Sequence, residues 1–164
     1  MGKEENEELV LRKAKNVVYH TLFSFGECRN QLISMATRDW VLYIDPDEQF
    51  WYTEHLDHVF NMPGNIGAAS VTVLSHDIIP GKGIMHRDAN HQYRIFRNHK
   101  GFRFLGNINE QILPSIVSSG YDVVDTPIII RHDGYMSDEI EIIQKKLKRN
   151  VSLLFSVLSN TTPD

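Results

Sequence analysis

The chain has 164 residues, of which 41% are hydrophobic and 23% charged, as expected of one soluble globular domain rather than two. Its formal net charge of −4 gives no basic field of the kind that nucleic-acid-binding proteins use, so we expect no nucleic-acid partner. The single cysteine, Cys28, excludes an internal disulfide and a zinc site built from several thiolates, which is typical of a reducing compartment. No apolar run approaches the roughly 18–20 residues of a membrane span, and the N-terminus MGKEENEELVLRKAKN lacks the apolar core of a secretory signal. These features predict a cytoplasmic protein with no membrane span.

The first half of the chain predicts a strand, a helix and a second strand. Residues 3–15 carry interspersed charges and indicate a short solvated helix, and NVVYHTLF (16–23) is typical of a strand. Ser24 is followed by Glu27 at the spacing of a capping box, and apolar residues then recur at helical intervals, which predicts a helix from residue 25 to about 37.

The segment WVLYI (40–44) is continuously apolar, as expected of a central strand that is covered on both faces. Strand, helix and strand at this spacing predict a parallel α/β unit. An uncovered strand edge near residues 17–22 would allow a second copy of the chain to complete the sheet, so a homodimer is among the expectations.

The middle of the chain is less regular. FWYTEHLDHVFN (50–61) could form a helix, AASVTVLSH (68–76) favours a strand, and the segment at 77–91 indicates a loop because Pro and Gly interrupt it. YRIFRN and FRFLG alternate in polarity on either side of HKG, which predicts a hairpin of two short strands.

The last third predicts one or two strands in VSSGYDVVDTPIIIRH and a long helix from Ser137. One apolar stripe follows this helix for about five turns. Its members are Ile140, Ile143, Leu147, Val151, Leu154 and Leu158. The tail at 159–164 should be frayed, and we expect residues 1–164 to form a single domain.

Asp45 and Asp47 flank Pro46 directly after the buried strand, where the ligands of open α/β sheets bind. Two carboxylates in one turn repel each other, and a bound cation offsets that repulsion. Oxygen ligands of this kind suit Mg²⁺ or Mn²⁺. The alternative is a polar turn that merely caps a helix, since Asp-Pro-Asp is common turn chemistry.

Three segments resemble, in order, those of family 2 of the inverting glycosyltransferases. FSFGECRNQLISMATRDWVLYIDPDEQF resembles the family's F-S-x-A-R-N…A-x-G-D-W-I-L-x-L-D-A-D-E segment. YRIFRNHKGFRFLGNINEQILPSI resembles its R-L-F-R-N…G-x-x-F-x-G-x-V-H-E segment, and IIIRHDGYMSDEIEIIQKKLKRNVSLL resembles its I-x-H-x-G-Y…K-x-x-R-N-x-x-L-L ending. The resemblance covers about residues 17–155.

The resemblance implies a GT-A fold, in which an α/β sheet presents an Asp-x-Asp motif to a metal under the diphosphate of a sugar nucleotide. In this chain Asp45 would lie near the donor ribose or the metal, and Asp47 would be the main metal ligand. His132 would be a further ligand or a contact to the diphosphate, whereas the pattern alone favours a histidine that is simply at the surface or hydrogen-bonded at a strand end. The implied cofactor is Mn²⁺ or Mg²⁺, and the implied donor is a UDP- or GDP-linked sugar.

Glu110 matches the acid of the family's His-Glu pair and is the predicted general base, which takes the proton of the acceptor hydroxyl. The alternative is a solvated strand residue. Asn109 stands where the family usually has His, and with Tyr135 it would lie on the side of the acceptor, a carbohydrate or another hydroxyl compound. Further polar and basic residues could contact the donor diphosphate or sugar, or simply face solvent. These are Arg29, Asn30, Arg94, Arg97, Lys146 and Arg149.

The strand–helix units that hold the nucleoside base in this family have no counterpart in the sequence. The resemblance therefore leaves three expectations open. The chain could be a compact transferase that holds its donor by diphosphate, metal and sugar, or it could complete its sheet with a second chain. It could also be a non-catalytic remnant that binds a sugar, a nucleotide or a protein partner. A hydrolase with His and Asp ligands is a further alternative, without a recognisable spacing to support it.

Overall fold

The computed structural model describes residues 24–52, 54–79, 83–132, 144–145, 147–152 and 155. Within these ranges the chain is an α/β protein whose mixed sheet has six strands. The predicted elements at 3–15 and 16–23, and with them the predicted parallel unit, lie outside the described residues, as do Tyr135 and Lys146.

Helix α1 spans Phe25–Met35, close to the predicted 25–37. The predicted cap is confirmed, because Oγ of Ser24 accepts a hydrogen bond from the backbone N–H of Glu27 at 3.2 Å. This bond satisfies one of the amide groups that the first turn of a helix leaves unpaired.

Strand β1 spans Trp40–Leu42 and pairs antiparallel with a later strand, Gly83–Arg97. Its two faces are both covered, as predicted: Trp40 and Leu42 pack against one apolar cluster and Val41 against another. Among the described strands β1 lies at one end of the order. The strand predicted at 16–23 lies outside the described residues, so the central position of β1 stays a prediction. The two apolar clusters cover the two faces of β1, and this kind of burial does not require a hydrogen-bonded strand on each side of it.

The predicted helix at 50–61 begins late. Strand β2, Glu48–Tyr52, takes up the aromatic residues Phe50 and Trp51, and helix α2 is confined to Leu56–Phe60. Aromatic side chains fit a pleated surface well, which favours the strand at this point.

Strands β3, Ile66–Ile79, and β4, Gly83–Arg97, form a long antiparallel pair that dominates the sheet. The predicted strand at 68–76 is confirmed and extends at both ends. The predicted loop at 77–91 is wrong, because β3 continues to Ile79 and β4 begins at Gly83. The glycine and proline signals were therefore too local to interrupt the pairing on either side.

The predicted hairpin of YRIFRN with FRFLG does not form. Strand β4 contains the first segment up to Arg97, but residues 102–106 make only an isolated bridge, Leu105 with Gln111. Phe102 and Phe104 are nonetheless buried in the core. The alternating pattern thus reflects burial of every second residue in an extended segment, without strand pairing.

The predicted strands of the last third are confirmed. Helix α3, Leu113–Ser118, leads to β5, Asp122–Val124, and then to β6, Ile129–His132. Both strands run parallel to β3, and β6 also pairs antiparallel with β2 at the end of the sheet opposite β1. The strand order is β1-β4-β3-β6-β2, with β5 beside the first part of β3.

Two apolar clusters, which share no buried residue, form the core around this sheet. The first is centred on Val59, Val71, Ile95 and Ile130, and the second on Phe96, Phe104, Ile112 and Ile116.

Residues 144–145 and 147–152 are helical, within the predicted long C-terminal helix. Leu147 and Val151 of its predicted apolar stripe are exposed, at 64% and 43%. Among the described helices, none has the length and apolarity that crossing a membrane requires.

Candidate functional site

An acidic turn at residues 45–47 joins the two ends of the sheet. The chain leaves β1 at one end and enters β2 at the other, and between them the N–H of Glu48 donates to the carbonyl of Asp45 at 3.0 Å. The side chain of Glu48 also folds back, so that Oε2 accepts the N–H of Asp45 at 2.8 Å. These two bonds fix the backbone on both sides of Pro46.

Arg94 of β4 holds the side chain of Glu48. Nη2 of Arg94 donates to Oε1 of Glu48 at 2.7 Å, and both side chains are buried, with 5% and 1% of their surfaces exposed. Burial raises the pKa of Glu48, although the Asp45 N–H and the Arg94 charge both act to lower it. Nε and Nη1 of Arg94 are buried and have no hydrogen-bond partner among the described residues.

Arg29 of α1 connects the acidic turn to Glu110. Its Nη2 lies 3.1 Å from Oδ1 of Asp45, and its Nε lies 2.5 Å from Oε1 of Glu110. Burial by itself would lower the pKa of Arg29, but Asp45 and Glu110 outweigh it and raise that pKa. The guanidinium is therefore firmly cationic between two acids.

Tyr43 supports both arginines. The guanidinium carbons of Arg29 and of Arg94 each lie 4.5 Å from the centroid of the Tyr43 ring, within cation–π range. Burial raises the pKa of the Tyr43 hydroxyl, and the two nearby cations only partly oppose this shift. The side chain thus stays a neutral phenol between two cations.

The loop that carries Glu110, residues 106–110, packs against the start of α1. The N–H of Phe25 donates to the carbonyl of Asn107 at 3.0 Å. Gly26 makes this approach possible, because a Cβ atom there would lie 2.3 Å from the carbonyl oxygen of Gly106. Asn109 has a positive φ of 53°, a conformation that asparagine adopts more readily than most residues.

A cavity of about 580 Å³ opens beside these residues. Its wall brings together six of the predicted site residues: Arg29, Asp45, Arg94, Asn109, Glu110 and Arg149. Amide side chains contribute much of the remaining wall, including those of Asn90, Gln92, Gln111 and Asn150. The guanidinium of Arg149 lies 5.1 Å from the ring centroid of Phe25 at the same cavity. The wall therefore offers both charges and neutral hydrogen-bonding groups to a polar ligand.

Asp47 and His132 pair outside the wall of this cavity, where β2 and β6 meet. Nε2 of His132 lies 3.3 Å from Oδ2 of Asp47, and Nδ1 lies 3.4 Å from Oγ of Ser75 on β3. Two ligands on adjacent octahedral positions of Mg²⁺ or Mn²⁺ are separated by about 3 Å. The Asp47–His132 pair therefore fits two positions of such a metal, with Ser75 able to orient the imidazole. Among the described residues there is no group of three or more His, Cys, Asp or Glu side chains arranged to hold a metal.

Arg97 and Asn30 lie away from the cavity wall and bind the main chain instead. Arg97 donates to the carbonyls of Met62, Pro63 and Ile66 at 2.7, 2.9 and 2.8 Å. The Asn30 amide both donates to the carbonyl of residue 104 and accepts its N–H, at 3.0 and 2.7 Å. The structure gives these two residues supporting contacts to the main chain, and their contact to a donor stays a prediction.

Sequence reasoning assigned no role to three residues that build the site: Tyr43, Glu48 and Gly26. A signal existed for Glu48, which follows the two aspartates directly and falls within the family's D-x-D-E pattern. No comparable signal marks Tyr43 or Gly26, whose roles depend on side chains and backbone that are distant in the sequence.

Comparison with known proteins gives a limited result. No protein-family profile matches the chain. A TPR repeat-containing protein of Synechococcus elongatus is 26% identical over 148 residues, which cover 85% of this chain and 36% of that protein. The chain thus spans just over a third of the length of this relative.

Proposed function

We propose that this protein is a metal-dependent inverting glycosyltransferase with a GT-A-like fold, which transfers a sugar from a nucleotide-sugar donor to a hydroxyl acceptor. One observation carries the proposal. Arg29 and Asp45, from the first segment of the family resemblance, meet Glu110, from the second, within ion-pairing distance at one polar cavity. The mixed sheet and the position of the acidic turn at a strand end also agree with this fold.

Glu110 is the general base in this proposal. Its Oε1 is held by Arg29, and no described residue pairs with Oε2. In the proposed reaction Oε2 accepts the proton of the acceptor hydroxyl while that oxygen bonds to the anomeric carbon of the donor sugar. The bond from the anomeric carbon to the nucleoside diphosphate breaks on the opposite face, so the configuration inverts.

Asp47 and His132 are the residues that would hold the metal. A bound Mn²⁺ or Mg²⁺ would neutralise charge on the departing diphosphate. Ser75 would keep Nε2 of His132 directed at the metal by accepting or donating at Nδ1. The remaining positions would be filled by water and phosphate oxygens, as is usual for these ions.

Thermal unfolding with ligands tests the proposal. Mn²⁺ with a nucleoside diphosphate, or with UDP- and GDP-linked sugars, should raise Tm by several degrees once the ligand exceeds its Kd about 100-fold. Asp47→Asn should abolish the shift, whereas Asp39→Asn, a change at an exposed acid after α1, should preserve it. The absence of any shift with millimolar metal and the whole panel of donors would reject the proposed function.

A non-catalytic module that binds a sugar or a nucleotide is the second candidate. This candidate is favoured by the small number of possible metal ligands at the proposed site, where the described residues supply two, Asp47 and His132. Glu110→Gln separates the candidates. In a transferase this change should retain donor binding and lower the rate of product formation by about 10²–10⁴-fold. In a binding module the wild-type chain should bind a ligand of the same panel and form no product with any donor.

A further inference from the structure

We propose that the two aspartates of the acidic turn have separate tasks: Asp47 serves the metal, and Asp45 is a positioning residue that aligns Glu110 through Arg29. This inference rests on the proposed function for the role of Glu110. It differs from the expectation that places Asp45 beside the ribose or the metal, and it follows from the contacts of the two carboxylates.

Both carboxylate oxygens of Asp45 face arginines. Oδ1 lies 3.1 Å from Nη2 of Arg29, and Oδ2 lies 3.5 Å from Nη1 of Arg94. A metal ion bound to Asp45 would therefore stand close to two guanidinium groups and be repelled by both. Asp47 pairs with the imidazole of His132, which is a metal ligand in its neutral form.

Arg29 binds the two acids through different nitrogens of one rigid group. Nε contacts Glu110 and Nη2 contacts Asp45, so the planar guanidinium fixes the direction of one carboxylate relative to the other. The rings of Tyr43 and Phe104, at 4.5 and 5.5 Å from the guanidinium carbon, restrict its rotation. Asp45 is therefore the group that sets the angle at which Arg29 meets Glu110.

Arg29 supplies the hydrogen bond that holds the Glu110 side chain. The loop's other anchors, the Leu105–Gln111 bridge and the Phe25–Asn107 hydrogen bond, hold its backbone and leave the direction of the carboxylate to Arg29. A base must reach the acceptor hydroxyl within about 3 Å, and small errors in position reduce rates strongly. Losing Asp45 should accordingly impair the proton transfer without removing the metal.

Metal affinity distinguishes the two aspartates. Binding of Mn²⁺ alone, measured by electron paramagnetic resonance, should be weakened at least tenfold by Asp47→Asn and changed less than twofold by Asp45→Asn. With a donor in hand, Asp45→Asn should lower kcat by about 10–100-fold and leave the KM for the donor within twofold of wild type. Equal weakening of Mn²⁺ binding by the two changes would overturn the proposal.

The Arg29 side chain supplies a readout that needs neither donor nor metal. The NMR resonance of its Nε–H is assigned by its loss in Arg29→Lys. In Asp45→Asn this resonance should broaden, or its chemical shift should move in the same direction as in Glu110→Gln. Asp39→Asn should leave it unchanged, and Tm measurements should confirm that each variant is folded. An Nε–H signal in folded Asp45→Asn identical to that of wild type would also overturn the proposal. If wild type binds neither Mn²⁺ nor any donor, the proposed function fails, while this signal still decides whether Asp45 orders the Arg29–Glu110 contact.

Discussion

Arg94 donates through Nη2 to Oε1 of Glu48 across 2.7 Å, and this ion pair is buried directly beneath the acidic turn. Because the other oxygen of Glu48 binds the N–H of Asp45, the pair connects β4 to the backbone of the turn. The position of both aspartates thus depends on a contact between residues that are 46 apart in the sequence.

Removing Arg94 should destabilise the fold strongly. Arg94→Met leaves the Glu48 carboxylate buried without its cation, and we expect the free energy of unfolding to fall by about 3–5 kcal/mol in urea titrations. Arg103→Met, at an exposed position, should change it by less than about 0.5 kcal/mol. The double variant Arg94→Met with Glu48→Gln should recover part of the loss, since no buried charge is then left alone. A loss from Arg94→Met no larger than that of the control would contradict the buried ion pair.

The raised pKa of Glu48 should appear in the pH dependence of stability. The folded state keeps the Glu48 proton to a higher pH than the unfolded state does, so it binds more protons between the two pKa values. The stabilisation is complete below the unfolded-state pKa and is lost as the pH rises through the folded-state pKa. Wild type should therefore lose stability relative to Glu48→Gln over this window, by at most about 1.4 kcal/mol per pH unit. Urea titrations of both proteins from pH 4 to 7 measure the difference, and a relative gain by wild type would show that the attraction of Arg94 outweighs burial.

Gly26→Ala should disturb the proposed sugar transfer beyond its effect on stability. The new methyl group would meet the carbonyl of Gly106 and push away the loop that holds Glu110. We expect a loss of about 1–3 kcal/mol in the free energy of unfolding, together with a lower kcat at temperatures where the protein is fully folded. Gly67→Ala is the matched control, because its methyl group would meet Ile116 and Tyr121 and not the loop of Glu110. Equal kcat values in the two variants, at equal folded fractions, would show that the position of the Glu110 loop does not affect the reaction.

Arg97→Met should weaken the fold and leave ligand binding intact. The change removes the donors to three backbone carbonyls, for which we expect a loss of about 1–3 kcal/mol in the free energy of unfolding. The Kd for Mn²⁺ with a nucleoside diphosphate should stay within twofold of wild type. A tenfold weaker Kd at unchanged stability would instead assign Arg97 to the diphosphate, as the sequence prediction has it.

The elements with local signals were predicted well. Ser24 and Glu27 mark the start of α1, and the β-branched residues of 68–76 mark β3, because capping and strand propensity act over a few residues. Strand order was not predictable in this way. The apolar run at 40–44 indicates cover on two faces, but it contains no information on which strands lie beside it.

In the candidate site, too, the sequence indicated which residues matter but not which side chains or backbone groups they contact. The resemblance selected Arg29, Asp45 and Glu110, and the structure brings these side chains into contact. It also selected Arg97, which binds carbonyl oxygens. A guanidinium is satisfied equally by a phosphate or by a carbonyl, so the residue type alone does not identify its partner.

The acidic turn connects strands at opposite ends of the sheet, and this has a consequence for folding. In the described sheet β4, β3 and β6 separate β1 from β2, so the native position of the turn requires all three of these strands to be in place. The contact of Asp47 with His132 spans most of the described chain and belongs to the slow, non-local part of folding. A partly assembled chain therefore lacks the Asp47–His132 contact, and under the proposed function its affinity for Mn²⁺ would measure how completely the sheet has formed.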